Sequence, residues 1–114
     1  MHELAVTMEV VDVISDQLEE YSTLQVKRVV LEIGALASVI PDSVRFCFDL
    51  CTQGTPLEGA LLEILETQGE GLCRKCRTVI QTQDRFAVCR CGSMDFDWTK
   101  GQELIIKEVE FESR

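Results

Sequence analysis

The sequence predicts an α+β fold in which two helices pack on a three-stranded sheet, with an inserted zinc-ribbon-like domain. Three observations carry that prediction. Two segments place apolar residues at helical spacing, three alternate as strands do, and four of the six cysteines crowd between the second and third strand segments. At 114 residues the chain is long enough for one modest core, or for a small core carrying a metal-stapled module.

Leu4, Met8, Val11, Ile14, Leu18 and Tyr21 recur at three- and four-residue steps, and Glu9, Asp12, Asp16 and Glu19 repeat on the opposite side. This predicts an amphipathic helix over residues 4–21. Its late acidic residues oppose the helix dipole, so packing must hold it. Val26 to Ile33 then reads as a half-buried strand, with Val29, Leu31 and Ile33 on one face and Arg28 and Glu32 on the other. Gly34 opens a loop that runs through Ser38. Pro41-Asp42 suits the first turn of a second helix, which runs to Gln53 and is stopped by Gly54 and Pro56. Residues 60–66 read as the second strand. Glu103 to Glu112 reads as the third, where Val109 and Phe111 alternate with Glu108, Glu110 and Glu112. Gly69, Gly71 and Gly101 border the cysteine run. They set off a zinc-binding module at residues 69–100, inside a discontinuous α+β domain of residues 1–68 and 101–114.

The cysteine run is Cys73-Arg-Lys-Cys76, twelve residues, then Cys89-Arg-Cys91-Gly92. Two close pairs around a hairpin-sized insert can converge four thiolates on one tetrahedral centre, and zinc is the metal that best fits such a site. Four sulfurs fill the coordination sphere, so the site reads as structural and not catalytic. Two disulfides, an iron centre and a redox dithiol are the rival readings. Nothing like a signal peptide appears, because Met1 leads straight into a charged, helix-like segment. A cytoplasmic location is therefore expected, where disulfides are rare. The second pair is one residue tighter than the usual C-x-x-C. Val88, which cannot be a ligand, falls where the wider spacing would put one, and Asp84 and Asp95 are poorer zinc donors than a thiolate. Cys47 and Cys51 stand at i, i+4 in the second helix, beside Val44 and Phe48. They could hold a metal or sense redox, but small core residues are the simpler reading.

The formal charge of −9 repels phosphate backbones and argues against nucleic acid as a partner. Arg74, Lys75, Arg77, Arg85 and Arg90 are the exception, lying in or beside the cysteine run. They can offset the negative charge of a zinc tetrathiolate, or serve as a basic finger for RNA. No apolar run approaches the ~18 residues that span a bilayer, so no membrane role is expected.

His2 is the only histidine. The α-amine, the amide nitrogens of residues 2 and 3, and the His2 imidazole are joined by short chelate rings. With the amides deprotonated, these four nitrogens make a square plane, a geometry preferred by Ni(II) and Cu(II) and not by zinc. The plane needs a free amine, hence an unextended Met1, whose removal a bulky His2 disfavours. The plain reading is a histidine on a frayed end, since any chain starting Met-His has these atoms.

Met1-His2-Glu3 is followed by Arg45-Phe-Cys-Phe48, Gly54-Thr-Pro-Leu-Glu-Gly-Ala60, the four-cysteine motif, and Gly101-Gln-Glu-Leu104 leading to Ile106-Lys-Glu108. In that order, over nearly the whole chain, they resemble the HypA/HybF family of hydrogenase maturation proteins. The resemblance implies a two-domain nickel metallochaperone, with Ni(II) as transient cargo at Met1, His2 and the Glu3 backbone. Structural Zn(II) would be held by Cys73, Cys76, Cys89 and Cys91. It further implies delivery with a GTPase partner to the large subunit of a [NiFe]-hydrogenase, or in some organisms to urease, with Glu3 supporting the site and the partner contact. Some members pair as homodimers, including by exchange of domains, which the glycine-flanked insertion permits here. The departure from the pattern is Cys89-x-Cys91.

Three classes compete: a nickel chaperone without turnover, a zinc-ribbon adaptor or nucleic-acid-binding module, and a rubredoxin-like iron electron carrier. Net charge weighs against the second, and an electron carrier has no need of the surrounding α+β domain. An enzyme is the reading least supported, because no Ser/His or Cys/His pairing is available and the thiolates are taken up by metal.

Overall fold

The computed structural model describes residues 2–21 and 23–113. In order, the elements are α1 (Glu3–Gln17), β1 (Leu24–Gly34), α2 (Pro41–Cys51), β2 (Leu61–Thr67), β3 (Gly69–Cys73), β4 (Val79–Thr82), β5 (Phe96–Lys100) and β6 (Leu104–Ser113). One sheet has the order β2-β1-β6 and the other β4-β3-β5. The expected two helices and three-stranded sheet are present, and so is the inserted ribbon.

The chain forms two compact units. The first gathers Met1–Leu31, Val39–Ile64 and Ile106–Arg114; the second gathers Glu32–Ser38 and Leu65–Ile105. In the first unit α1 packs against α2. Val10, Val11 and Ile14 of α1, Val44 and Phe48 of α2, Val26, Val29 and Leu31 of β1, and Leu57 are all buried. The sequence stripe through Leu4, Met8 and Tyr21 needs correcting. The buried face of α1 is Glu3, Thr7, Val10, Val11 and Ile14, and Leu4, Met8 and Tyr21 are about half exposed. The helix also ends at Gln17, not 21. No glycine closes it, its last turn has no basic residue, and the following turns tighten to i→i−3 bonds such as Leu18 N–H to Ser15 O at 3.1 Å.

β1 is the middle strand and is buried on more than one face, since Val29, Val30 and Leu31 are all inaccessible. Arg28 is placed beside Glu63 of β2 and Glu108 and Glu110 of β6. Its Nη1 pairs with Glu63, its Nη2 lies 3.1 Å from Glu108 Oε2, and its Nε lies 3.0 Å from Glu110 Oε2. One guanidinium therefore ties all three strands together. The cationic Arg28 also holds the Glu110 carboxyl below its ordinary pKa, chiefly by hydrogen bonding.

In the second unit β3 pairs antiparallel with β4 and with β5. Gly71 stands opposite Trp98, and a Cβ on it would come within 2.8 Å of the indole ring. That absence of a side chain lets Trp98 lie over β3 with its ring centre 5.1 Å from that of Phe96. Buried Phe96, Cys73 and Cys89 make a small core, against which Ile80, Ala87 and Trp98 pack.

Candidate metal centre

Two turns deliver the four ribbon cysteines. β3 ends on Cys73, whose N–H bonds Thr78 O at 2.9 Å while its carbonyl accepts Arg77 N–H at 2.9 Å. The Cys76 N–H points back at Cys73 Sγ, 3.5 Å away. In the second turn Cys89 N–H bonds Ser93 O at 2.8 Å, and Gly92 N–H bonds Cys89 O at 2.7 Å. The residue after the second cysteine is left-handed in both turns, with φ of 66° at Arg77 and 89° at Gly92. Glycine adopts that conformation freely, but Arg77 carries a steric cost of ~1–2 kcal/mol.

The tight Cys89-x-Cys91 pair therefore reaches the same point as the wider Cys73–Cys76 pair. All four sulfurs lie within 4.8 Å of one another. Cys73 Sγ is 3.7 Å from Cys91 Sγ, and Cys76 Sγ is 3.4 Å from Cys89 Sγ. A zinc tetrathiolate with bonds of ~2.3 Å has edges of about 3.8 Å, so these residues fit such an ion with small adjustments. Among the described residues, this cluster contains four cysteines and no carboxylate. Asp84 accepts the Phe86 N–H and Asp95 pairs with Arg74, so neither competes as a donor.

The environment already favours thiolate at part of the cluster. The Thr78 hydroxyl, 3.1 Å from Cys76 Sγ, and the Thr78 N–H lower the Cys76 pKa to about 6. Cys73 is lowered as well, first by the Cys76 N–H. Cys89 goes the other way, to about 11. The Cys91 N–H, its largest single influence, lowers it, but the neighbouring sulfurs of Cys76, Cys91 and Cys73 and burial together outweigh that bond. A dication at the centre supplies the charge that would let all four ionise together. The local basic residues contribute less than their number suggests. Arg74 is spent on Asp95 and Asp97, and Arg85 donates to Leu36 O and Gln102. Thr78 was not foreseen, because nothing in the cysteine spacing marks it.

The other predicted site lies at the start of α1. Met1 is outside the described residues. His2 is exposed and forms the N-cap of α1, its carbonyl accepting the Val6 N–H at 2.9 Å. The Glu3 side chain has a place of its own in the fold. It is buried to 5% exposure, and its Oε2 accepts the Ile40 N–H at 3.2 Å. Ile40 is the N-cap of α2 and has no side-chain acceptor of its own. The Glu3 carboxylate thus supplies that cap from the other helix, and the Ile40 N–H, the first among its influences, holds its pKa below the ordinary carboxylate value. Cys47 and Cys51 are half-buried free thiols on α2, and burial raises the pKa of Cys51.

The HypA family, described as hydrogenase/urease nickel incorporation metallochaperone, matches residues 1–111. The chain belongs to the HypA family. It is 49% identical over 112 residues to the hydrogenase maturation factor HypA of Nostoc punctiforme, covering 98% of this chain and 96% of that protein. Against the HypA of Dechloromonas aromatica it is 38% identical over 113 residues, covering 98% of this chain and all of the relative. The solution structure of the Ni metallochaperone HypA from Helicobacter pylori has the same fold, with a TM-score of 0.69 at 21% identity and full coverage of both chains. Membership makes this a nickel metallochaperone that acts in hydrogenase maturation. No helix among the described residues is long and apolar enough to cross a membrane.

Proposed function

We propose that this chaperone carries one Ni(II) in a plane of four nitrogens: the Met1 amine, the amides of His2 and Glu3, and the His2 imidazole. The reading is carried by where α1 begins. Val6 N–H donates to the His2 carbonyl at the start of the α1 ladder, and the amides of residues 2 and 3 lie among the leading N–H groups that a helix leaves without intrahelical acceptors. Deprotonating them for a metal breaks no bond of the helix ladder, the Glu3 N–H serving only its own carboxylate, and the positive end of the dipole favours the resulting negative nitrogens. His2 is exposed and free to close the chelate.

Residues 69–100 are the zinc domain on this reading, with Zn(II) held by Cys73, Cys76, Cys89 and Cys91 in a structural role, and residues 1–68 and 101–114 form the nickel domain. The protein catalyses no reaction of its own. It works in the cytoplasm, passing nickel with a maturation GTPase to the large subunit of a [NiFe]-hydrogenase, as a monomer or a homodimer.

The test is Ni(II) titration of protein with a native start. Acetylation of the amine, residues added before Met1, or His2→Ala should each remove specific nickel binding while zinc content and helix content stay unchanged. Each change takes one donor from a plane for which the chain has no spare histidine. Undiminished nickel affinity in the extended protein would place the site elsewhere.

A further inference from the structure

The face between α1 and α2 is unfinished. Two concavities of about 340 and 280 Å³ lie side by side there, divided by Leu4. Phe46 lines the first, and Met8 and Leu50 line the second. These four apolar side chains are 49–69% exposed. They form two i, i+4 pairs, Leu4 with Met8 and Phe46 with Leu50, one from each helix. Helical periodicity would have buried Leu4 and Met8, and the fold leaves them in solvent. Apolar groups exposed in a contiguous patch signal a surface meant to be covered.

We propose that this groove receives an amphipathic helix of a partner protein with an apolar stripe and basic flanks. Shape points to a helix. Neighbouring depressions about one side chain apart match residues one turn apart on an incoming helix, ~5.4 Å along its axis. Charge points to basic flanks. Asp12 lines the second concavity, α1 carries Glu9, Asp12 and Asp16 with no basic residue, and the single arginine of α2, Arg45, is neutralised in a pair with Asp42 at 2.6 Å, so the face is net acidic. A second copy of this chain is a poor occupant, since face-to-face pairing would set these carboxylates against their own images. Anionic lipid is repelled for the same reason. Glu3 and Leu4 border the groove, so a docked helix lies next to His2. The value of that proximity for handing over cargo rests on the nickel reading; the docking itself does not.

The probe is an 18-residue synthetic peptide with leucines at helical spacing and arginine flanks, beside a twin carrying glutamate flanks. Both are titrated by fluorescence anisotropy into the full zinc-loaded, nickel-free chain. The arginine peptide should bind and the glutamate twin should bind at least tenfold more weakly. Phe46→Ala with Leu50→Ala should weaken the arginine peptide at least tenfold, and Asp12→Lys severalfold, with helix content and nickel binding unchanged. Amide shifts in the parent protein should move along α1 and α2. Equal binding by the double variant, or shifts confined elsewhere, would reduce the attraction to net charge and overturn the proposal. So would a parent that sediments as a dimer and becomes monomeric in the double variant, or that binds neutral lipid vesicles through the same residues. Amine-acetylated protein that loses nickel yet keeps the peptide separates failure of docking from failure of the nickel site.

Discussion

Gly34→Ala tests the close crossing within the unit that carries the cysteines, without altering a ligand. Gly34 ends β1, and Gly101, with φ of 91°, passes directly across it. The Leu36 N–H donates to Gly101 O at 2.7 Å, and the Gly34 N–H donates to Glu103 O at 2.9 Å. A Cβ on Gly34 would sit 2.0 Å from Gly101 O and 2.2 Å from its carbonyl carbon, whereas ordinary contact begins at 3.4 Å. The obstacle is backbone, so rotating a side chain cannot relieve it, and the segments must part by about 1.4 Å. That displacement carries the Leu36–Gly101 bond beyond hydrogen-bonding range and strains its neighbour. One backbone donor losing its partner, at ~1–3 kcal/mol where water cannot replace it, and a second held less well give a cost of about 2–4 kcal/mol. Domains of this size have ~5–15 kcal/mol to lose, so the variant should fold but melt about 10 °C lower or more. Urea unfolding followed by circular dichroism measures the cost, and zinc loss to a chelator should quicken in the same protein. A variant within about 0.5 kcal/mol of the parent, the usual range for innocuous surface changes, would refute the close-approach reasoning.

Purified protein should be colourless with about one zinc per chain; Cys76→Ser should weaken zinc by ~100-fold or more, and Thr78→Val, which removes only the hydroxyl at that sulfur, by about tenfold. Competition with a chromogenic chelator reads both, and a red, iron-loaded protein with intact cysteines would reject the assignment. Acid should destabilise the fold through Glu3 and Glu110, whose carboxyls both sit below the 4.5 of an ordinary glutamate in the folded chain. Their contribution is present above 4.5 and lost as the pH falls through the lower folded values, so urea midpoints should drop on acidification and Glu110→Gln should flatten that drop.

Where the sequence succeeded, a short-range signal agreed with the packing. Pro41 at the first turn of α2 and the alternation in Val26–Ile33 fix local conformation by themselves, and those elements appear within a few residues of their expected ends. The convergence of the four cysteines was legible because thiolate pairs at such spacing have few other uses. The burial of the Glu3 carboxylate was not legible for the opposite reason: only the arrival of Ile40, distant in sequence, gives it a donor to bury against. The three carboxylates on Arg28, and the meeting of Gly34 with Gly101, likewise depend on partners that no periodicity announces. In α1 the face that packing covers is rotated from the predicted stripe: it takes in Glu3, Thr7 and Val10 beside Val11 and Ile14 and leaves Leu4 and Met8, on the far edge of the stripe, half exposed.

The two proposed metal sites divide the labour of the fold in different ways. The four clustered cysteines lie on two turns separated by twelve residues, each followed by a left-handed residue, Arg77 and Gly92. There the fold assembles the ligands, and a zinc ion held by them would cross-link a core with few buried residues, Cys73, Cys89 and Phe96. The proposed nickel donors are contiguous and need no fold to be near one another. What the fold gives them is an address: Glu3, buried and bonded to the N-cap of α2, pins the start of α1 and leaves His2 outside it. A structural ion is best held by ligands that cannot leave without unfolding the ribbon. A cargo ion is best held by an exposed chelate that can be opened one nitrogen at a time, anchored at a fixed point beside the surface a recipient would grip.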